Sequence, residues 1–278
     1  MIKRIDNLEI IEINNKKICK KKSCSNIISK YKYLNSKDFH NYIDTKIVDG
    51  YEIRDYIEEI NISKEDKLNE LIYTLIMLHT KTTHFKAISL NDIKLFYEKV
   101  TDEIGELKIY YNKLFDDNVI YLYLKPSISL LINKISIILI ALDNSKYFLD
   151  KWYEIMKTKQ RKRVVMNHNN LKLSNFIVGD KTYLINFDKS LIDYSIYDLV
   201  SLFKNNYESI DMKDIFDLYI SKYNLFIEER YLLFSLLLKI DKIDFIDNDV
   251  INTRKVNNLI YYLDRISEFL EYCMKTKK

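Results

Sequence analysis

The sequence predicts an α+β fold in which a small antiparallel β-sheet precedes a large, mostly α-helical region. Residues 8–13, 17–20 and 51–57 are rich in isoleucine and other strand-forming side chains, and a polar pair at 14–15 separates the first two runs. From Ser63 onward, apolar residues recur at steps of three and four, which is the period of a helix. A short group of strand signals at 164–187 interrupts the helical pattern. The front of the chain is therefore predicted as a sheet and the body as helices.

The first predicted element is a β-hairpin. Residues 8–13 and 17–20 form its strands, and a polar pair at 14–15 forms its turn. A third strand is predicted at 51–57. Since side chains alternate along a strand, one face of this third strand carries Tyr51, Ile53, Asp55 and Ile57.

The helical body is predicted as a series of amphipathic helices. The first begins after an N-cap at Ser63, with Asp66 at the capping-box position. Pro126 begins an apolar helix that ends near residue 143, because proline is favoured in the first turn of a helix. The other predicted helices cover 90–115, 147–156, 197–204, 215–219, 230–240 and 256–272.

The third predicted strand group, at 164–187, ends in a tight hairpin. Residues 175–178 and 183–187 form its strands, and Gly179 and Asp180 are predicted to link them as a two-residue turn. A tight turn of this kind brings the two strands side by side. The residues that flank the hairpin are therefore expected to lie close together.

Composition and charge exclude several classes of protein. Of the 278 residues, 47% are hydrophobic and 30% are charged, which is a globular balance rather than that of a disordered chain. The 44 basic residues are interspersed with 40 acidic ones, which argues against a nucleic-acid partner. The longest apolar run, 127–142, is shorter than the ~20 residues of a membrane span and predicts a buried helix.

Cysteine usage and the N-terminus favour a cytoplasmic protein. Cys19, Cys24 and Cys273 have no zinc-site spacing and do not form an even set, so reduced thiols are expected. The first 14 residues contain charged side chains and no continuous apolar segment, which is not the pattern of a secretory signal.

The residues that carry chemistry lie in the strand group. Residues 168–175 match the pattern His-x-Asp-x-x-x-x-Asn at His168 and Asn175, but Asn170 stands where the pattern has aspartate. Kinase-like folds use this loop to position a substrate hydroxyl, and they place a metal-binding aspartate on the next hairpin. In this sequence Asn186 stands at that second position, and the triplet Tyr-Asp-Leu follows at 197–199.

Through these motifs the chain resembles the aminoglycoside phosphotransferase/choline kinase superfamily, nearest its spore-coat kinase-like branch. The resemblance covers most of the chain and implies a bilobal protein kinase-like fold. Its small antiparallel β N-lobe would span residues 1–60, and its large, mostly α-helical C-lobe would span 61–278. The catalytic-loop-like hairpin region would be 164–198, with 51–57 as the hinge strand.

Both aspartates that would carry out the family's chemistry are asparagines. Asn170 stands at the position of the catalytic aspartate, where a neutral amide cannot act as a base. Asn186 stands at the position of the metal aspartate, although Mg²⁺ prefers anionic oxygen. His168 is expected to be a structural loop residue. Asn175 and Asp188 would be metal ligands only if metal binding is retained.

The resemblance also predicts a nucleotide-binding lysine on the second strand. Lys20 is the predicted residue, with Lys21 and Lys22 equally possible in register, and Asn175 and Asn186 would complete the cofactor site. No Gly-rich phosphate loop is present, since no glycine occurs in the first 49 residues. The segment that follows the lysines contains no glutamate to pair with one, so its helix is expected to be shortened or lost.

The sequence therefore favours a catalytically inactive kinase-like protein, a pseudokinase, which serves as a binding or scaffold module. Its expected partner is a protein or a small molecule rather than nucleic acid or a membrane. No cofactor is expected under this interpretation, and the location is cytoplasmic, with spore association implied by the resemblance. The alternative is an atypical ATP-dependent phosphotransferase for a small hydroxylated or cationic substrate, with Mg-ATP as cofactor.

Overall fold

The computed structural model describes residues 2–5, 8–13, 16–22, 26–121 and 123–275. Its strands are β1 (Ile2–Ile5), β2 (Leu8–Ile13), β3 (Lys16–Lys22), β4 (Thr45–Val48), β5 (Tyr51–Asp55), β6 (His84–Ala87), β7 (Arg161–Asn167), β8 (Phe176–Val178), β9 (Thr182–Leu184) and β10 (Leu191–Asp193). Its α-helices are α1 (Ile27–Ser36), α2 (Lys64–Thr82), α3 (Leu90–Asn118), α4 (Pro126–Met156), α5 (Ile196–Asn206), α6 (Met212–Lys222), α7 (Ile227–Leu238) and α8 (Asp249–Lys275). A small antiparallel sheet at the front and a mostly helical remainder confirm the predicted α+β class.

The N-terminal sheet has five strands in the order β1-β2-β3-β5-β4, and every neighbouring pair is antiparallel. The predicted hairpin is confirmed as β2 and β3, and its predicted turn at 14–15 lies outside the described residues. Strands β1 and β4 were not predicted. In the β3–β5 register, Cys19 lies opposite Arg54 and Lys21 lies opposite Glu52.

Strand β5 buries its charged face. Tyr51, Ile53 and Asp55 share one face, as the alternation predicted, but this is the more exposed face. The opposite face carries Glu52 and Arg54, which are only 4% and 7% exposed. The alternation along β5 therefore predicted which residues share a face. It did not predict which of the two faces is buried.

Helix α1 is short but present. It spans ten residues, which agrees with the prediction of a shortened helix and excludes its complete loss. Helix α2 begins as predicted: the Ser63 side chain accepts a hydrogen bond from the Asp66 backbone N–H at 3.0 Å. Both helices flank the strand group, because α1 contacts the turn at Phe187–Lys189 and α2 contacts β8 and β9.

Helix α4 is one continuous helix, so the predicted break between residues 143 and 147 is wrong. Asp143, Asn144 and Ser145 are weak helix formers, and this local preference suggested a boundary. Tertiary packing overrides it. Ser145 is fully buried, its hydroxyl donates to the Ser235 carbonyl oxygen at 2.8 Å, and α4 packs closely on α7.

Within the part of the chain that the structure describes, α4 is also the one helix long and apolar enough to cross a membrane, with a mean hydropathy of 1.6 over its best window. Core helices of globular proteins meet the same criterion. One side of α4 packs on α3, α7 and α8, with Leu131, Ile138, Leu142 and Trp152 buried there. This packing confirms that the apolar run at 127–142 contributes buried side chains to a hydrophobic core.

The chain divides into two compact units. The first comprises residues up to His84, Arg163–Leu202 and Asp217–Asn224, and it holds the N-terminal sheet, the strand group and every residue of the predicted site. The second comprises Phe85–Lys162, Phe203–Phe216 and Leu225–Lys278, and its core is built on α4. The predicted lobe boundary at residue 60 stays a prediction.

In the strand group, β8 and β9 form an antiparallel hairpin in which Val178 pairs with Thr182. Its loop has three residues, 179–181, rather than the predicted two, because the Gly179 N–H bonds the Lys181 carbonyl oxygen at 2.9 Å. A Cβ at Gly179 would lie 2.7 Å from Cγ2 of Ile57, so a glycine there allows close approach to the segment after β5.

Candidate active site

A cavity of about 460 Å³ opens beside the N-terminal sheet in the first unit. Its apolar walls come from isoleucines of β2, of the segments around β5 and of the β8–β9 hairpin. Its polar lining comes from β2, β3, β5 and the loop before β8. The lining residues are Ile10, Glu12, Lys17, Cys19, Ile43, Arg54, Asp55, Tyr56, Ile57, Glu59, Ser174, Ile177 and Ile185.

One buried carboxylate, that of Asp198, holds the loop that follows β7. Oδ2 of Asp198 accepts hydrogen bonds from the His168 backbone N–H at 2.8 Å and from Nε2 of His79 at 3.0 Å. Its Oδ1 accepts from the Asn169 backbone N–H at 2.6 Å. Tyr219 donates its hydroxyl to Nδ1 of His79 at 2.6 Å. We call Asp198, His79, His168 and Asn169 the Asp198 brace.

The brace is a structural device. Asp198, His79 and His168 have no exposed surface, so an unpaired carboxylate there would be strongly destabilising, and the three donors satisfy it. No pattern in the sequence indicates that His79, near the end of α2, contacts Asp198. This contact joins α2 to the first turn of α5.

His168 is fully buried at the start of the loop. Its Nε2 donates to the Ile185 carbonyl oxygen at 2.7 Å, and its ring meets the ring of Phe187 edge to face at 4.9 Å. Burial lowers the pKa of His168, with the charge of Asp198 opposing that shift. The imidazole is therefore neutral and supports the hairpin.

The asparagines of the motif bond to one another. Nδ2 of Asn175 donates to the Asn170 carbonyl oxygen at 2.9 Å, and Nδ2 of Asn186 donates to Oδ1 of Asn175 at 2.8 Å. The backbone of Asn186 is left-handed, with φ of 65°, a conformation that Asn and Asp adopt more readily than most residues. The loop and the hairpin thus meet through amide side chains. We call Asn170, Asn175 and Asn186 the asparagine centre.

Lys21 is the lysine of β3 that reaches the asparagine centre. Its Nζ donates to Oδ1 of Asn186 at 3.3 Å and forms an ion pair with Oδ2 of Asp188. Lys20, the predicted residue, lies on the other face of the strand, with its Nζ 4.1 Å from the centroid of the Tyr51 ring. The structure therefore places one of the alternatives, Lys21, at the site. Any role in nucleotide binding stays a prediction.

Helix α1 supplies a second lysine in place of the missing glutamate. Nζ of Lys30 donates to the carbonyl oxygens of Phe187 at 3.1 Å and of Asp188 at 2.7 Å. One residue along, the Tyr31 ring meets Phe187 at 6.0 Å and stacks on Tyr42 at 5.0 Å. Burial raises the pKa of Tyr31 to about 12. The aromatic group and the lysine together attach α1 to the turn after Asn186.

Two buried charged residues of β5, Glu52 and Arg54, also belong to the site and were not predicted from the sequence. Arg54 lines the cavity beside Cys19, its cross-strand partner. Burial raises the pKa of the Cys19 thiol, while the Arg54 guanidinium opposes that shift. Glu52 is buried on the same face of β5, opposite Lys21. The signal that could have identified this face is Cys19, an apolar residue two positions before Lys21.

The donor atoms present do not fit a Mg²⁺ ion. Mg²⁺ demands near-octahedral oxygen coordination and prefers carboxylates. Here Oδ1 of Asn175 accepts from Asn186, Oδ1 of Asn186 accepts from Lys21, and Oδ2 of Asp188 is paired with Lys21. The other carboxylate oxygen, Oδ1 of Asp188, is buried without a hydrogen-bond partner. Among the described residues, no three His, Cys, Asp or Glu side chains form a metal-binding group.

Solved structures match the chain in fold. An aminoglycoside phosphotransferase from Alicyclobacillus acidocaldarius superposes with a TM-score of 0.65 at 11% identity, over 99% of this chain and 88% of that one. The AMP-bound complex of a spectinomycin phosphotransferase gives 0.56 at 13% identity, over 100% and 90% of the two chains. A glucosamine kinase in complex with glucosamine, ADP and inorganic phosphate gives 0.51 at 10% identity, over 100% and 83%.

These likenesses define the fold of the chain. The chain has the kinase-like fold of the aminoglycoside phosphotransferases, which confirms the fold that the sequence motifs implied. No protein-family model matches the sequence, and a search of curated proteins gives no match. At identities of 10% to 13%, the likeness is one of fold.

Proposed function

We propose that this protein is a catalytically inactive kinase-like protein that acts as a binding or scaffold module. One observation carries the proposal: at both metal-ligand positions of the motif, the side-chain oxygen already accepts a hydrogen bond from a protein donor. Asn175 accepts from Asn186, and Asn186 accepts from Lys21. The residues that would hold Mg-ATP in an active relative instead hold the hairpin together.

The lost carboxylates account for the proposed inactivity in chemical terms. A general base contributes about 10²- to 10⁴-fold to rate, and the amide of Asn170 cannot take up a proton. Phosphoryl transfer further relies on Mg²⁺ to neutralise the developing charge. Since Asn186 carries no charge and Asp188 is paired with Lys21, the attraction for Mg²⁺ is weak. Two independent requirements of the reaction are therefore unmet.

A second candidate function is an atypical phosphotransferase for a small hydroxylated or cationic substrate. Two observations favour it. Oδ1 of Asp188 is buried without a hydrogen-bond partner and offers one anionic oxygen to a cation. The proteins of similar fold are named as phosphotransferases or kinases of spectinomycin and glucosamine, which are small hydroxylated amines. In this candidate, Asp188 and Asn175 hold the metal.

A cytoplasmic location and an association with spores belong to the same proposal. The cysteine pattern supports the first, and the resemblance to the spore-coat branch supports the second. Cys19 and Cys273 are both buried, which agrees with thiols that serve in packing. The proposed binding module takes a protein or a small molecule as its partner.

The test is ADP production from Mg-ATP by three forms of the full chain, alone and with spectinomycin or glucosamine. We expect no turnover by the wild-type protein and measurable turnover by the Asn170→Asp/Asn186→Asp double variant. Asn169→Asp is the matched control, because it adds a carboxylate to the same loop one position away from Asn170. We expect it to be as inactive as the wild type.

Turnover by the wild-type protein would contradict the proposal. If that turnover requires Mg²⁺ and is abolished in Asp188→Asn, the second candidate is correct. If neither the wild type nor the double variant turns over, the proposal stands, and the loss of function extends beyond the two carboxylates to the missing Gly-rich loop.

A further inference from the structure

We propose that the cavity beside the N-terminal sheet binds a small organic carboxylate, whose charge pairs with Arg54 and whose apolar body packs against the isoleucine walls. This inference rests on the proposed function, because it names the class of small molecule that the binding module takes. It gives Arg54 a role that no sequence motif implied. The expected ligand is a carboxylate with an apolar body rather than a nucleotide.

The first argument is the burial of Arg54. Side chains alternate along β5, so Arg54 lies on the covered face; it is only 7% exposed and lines the cavity. A guanidinium keeps its positive charge in proteins, and a buried charge is unfavourable unless a partner compensates it. Among the described residues, no carboxylate forms an ion pair with Arg54. The side chain therefore presents a buried positive charge to the cavity.

The cross-strand neighbour of Arg54 is a neutral group. Arg54 lies opposite Cys19, which also lines the cavity. Burial raises the pKa of the Cys19 thiol, with the guanidinium opposing that shift, so the thiol stays protonated at neutral pH. Glu52 shares the buried face of β5 but does not line the cavity, and it lies opposite Lys21. Within the cavity, Arg54 therefore lies beside a thiol and not beside a carboxylate.

The remaining charges of the cavity belong to its solvent-exposed rim. The other charged residues of the lining are all exposed: Glu12, Lys17, Asp55 and Glu59. Glu12 lies opposite Lys17 in the β2–β3 register, and Glu59 forms an ion pair with Lys67. Exposed charges are screened by solvent and interact weakly. Among the described lining residues, Arg54 is thus the one charged side chain in a buried position.

The shape of the guanidinium favours a carboxylate. Its N–H donors lie in a planar fork that matches the two oxygens of a carboxylate, which accept two parallel hydrogen bonds. Such a pair compensates the buried charge and fixes the orientation of the ligand. Adenosine has no anionic group, so it does not compensate Arg54 in this way.

The walls of the cavity suit the apolar body of the ligand. Five isoleucines line it: Ile10, Ile43, Ile57, Ile177 and Ile185. Ile43 and Ile185 belong to a buried cluster with Tyr183, and the isoleucines at 57 and 177 pack against that cluster. The volume of about 460 Å³ lies within the ~300–1,000 Å³ of small-molecule sites, which combine apolar walls with a few convergent polar groups.

Isothermal titration of the full chain tests the ligand class on the wild-type protein. The probe is naphthalene-2-carboxylate, and naphthalene-2-carboxamide is the neutral compound of nearly the same shape. We expect the carboxylate to bind about tenfold or more tighter than the amide, because only the carboxylate forms charge-assisted hydrogen bonds with Arg54. Adenosine should bind more weakly than the carboxylate, and 2-naphthyl phosphate should bind no more tightly.

Matched variants locate the binding at Arg54. Arg54→Gln should weaken binding of the carboxylate about tenfold or more and leave the affinity for the amide unchanged. Lys46→Gln removes a positive charge from an exposed residue of β4 outside the lining, and it should change neither. The ligand-free Arg54→Met protein should melt at a higher temperature than the wild type, because it no longer buries a charge. Naphthalene-2-carboxylate should raise the melting temperature of the wild type alone.

Cys19 provides an independent readout at the same place. Cys19 and Cys273 are both buried free thiols, and peptide mass spectrometry measures the alkylation of each by N-ethylmaleimide. A carboxylate bound to Arg54 covers Cys19, so it should slow alkylation of Cys19 and leave that of Cys273 unchanged. The carboxamide at the same concentration should protect neither thiol.

Four results would overturn the inference. They are binding of the carboxylate no tighter than that of the amide, tighter binding of adenosine or of the phosphate, equal effects of Arg54→Gln and Lys46→Gln, and a lower melting temperature for ligand-free Arg54→Met. These outcomes are separable from failure of the proposed function. An inactive wild-type protein that does not bind the carboxylate removes the cavity assignment alone, whereas Mg²⁺-dependent turnover removes the proposed inactivity whatever the cavity binds.

Discussion

The Asp198 brace and the asparagine centre lie one loop apart and differ in charge. In the brace, a buried carboxylate is held by three hydrogen-bond donors and has no exposed surface. In the asparagine centre the side chains are neutral amides, and Asn175 links the other two: it donates to the Asn170 backbone carbonyl oxygen and accepts from the Asn186 side chain. The carboxylate of the brace stabilises the fold, whereas carboxylates at the asparagine centre would bind the metal and act as the base in phosphoryl transfer.

This difference shows that fold and chemistry use separate residues within one motif. His168 and Asn175 keep the motif recognisable because they bond to the backbone of the hairpin and of the loop. Under the proposed function, Asn170 and Asn186 stand at the reactive positions, where they fit because an asparagine has nearly the same shape as an aspartate. Stability and catalysis should therefore respond to different substitutions in this region.

The largest expected effect on stability is at the brace. Asp198→Ala should lower the free energy of unfolding by about 4 kcal/mol, because it leaves three buried donors without an acceptor. Asp102→Ala, an exposed carboxylate on α3, should change it by less than about 0.5 kcal/mol. Urea denaturation followed by circular dichroism measures both. Similar values for the two variants would contradict the structural role of Asp198.

The next effect tests how the centre is attached to α1. Phe187→Ala should cost about 3 kcal/mol, because the buried ring packs between His168 and Tyr31. Phe85→Ala removes a ring that is 59% exposed and is the matched control. The same denaturation experiment applies. A loss below about 1 kcal/mol for Phe187→Ala would show that the aromatic contacts do not hold α1 in place.

A smaller effect is expected at Lys30. Lys30→Met should cost about 1 to 2 kcal/mol, since two carbonyl oxygens lose a charged donor. Lys32→Met changes an exposed lysine of the same helix and should be nearly neutral. Hydrogen exchange at the Phe187–Lys189 turn should rise only in the first variant. Equal exchange in both would show that Lys30 does not hold the turn.

The smallest effect is a dependence of stability on pH. Burial lowers the pKa of His168, so near and below pH 6.5 the unfolded chain binds a proton that the native chain does not. The contribution of His168 to stability is therefore complete above that pH and is lost as the pH falls. Denaturation between about pH 5.5 and 7.5 should give a steeper slope for the wild type than for His168→Gln. Identical slopes would show that His168 titrates alike in both states.

Much of the fold was predictable because the periodicity of apolar residues and the local cap and turn residues agree with the way the elements pack. The Ser63 cap, the β2–β3 hairpin and the strand group all follow from local patterns. The break predicted in α4 failed because Asp143 to Ser145 favour a helix end locally, while burial of Ser145 against α7 does not allow one. The strands β4, β6 and β10 are short and leave weak signals.

The site was predictable in its losses and not in its replacements. The spaced motif predicted Asn170 and Asn186 as changed positions, and this stays a prediction. Lys21 could not be separated from Lys20, since consecutive lysines have no polarity contrast and only Cys19 marks the inner face of β3. Lys30 was not predicted, because the family pattern has a glutamate on that segment and assigns no role to a lysine there.

The central claim is that the asparagine centre does not bind a divalent cation, and a direct measurement is Mn²⁺ binding by electron paramagnetic resonance in the presence of ATP. We expect the wild-type protein to leave the Mn²⁺–ATP signal unchanged, whereas Asn170→Asp/Asn186→Asp should convert it to a protein-bound form. Uptake of Mn²⁺ by the wild-type protein that is lost in Asn175→Ala or Asp188→Asn would contradict the claim.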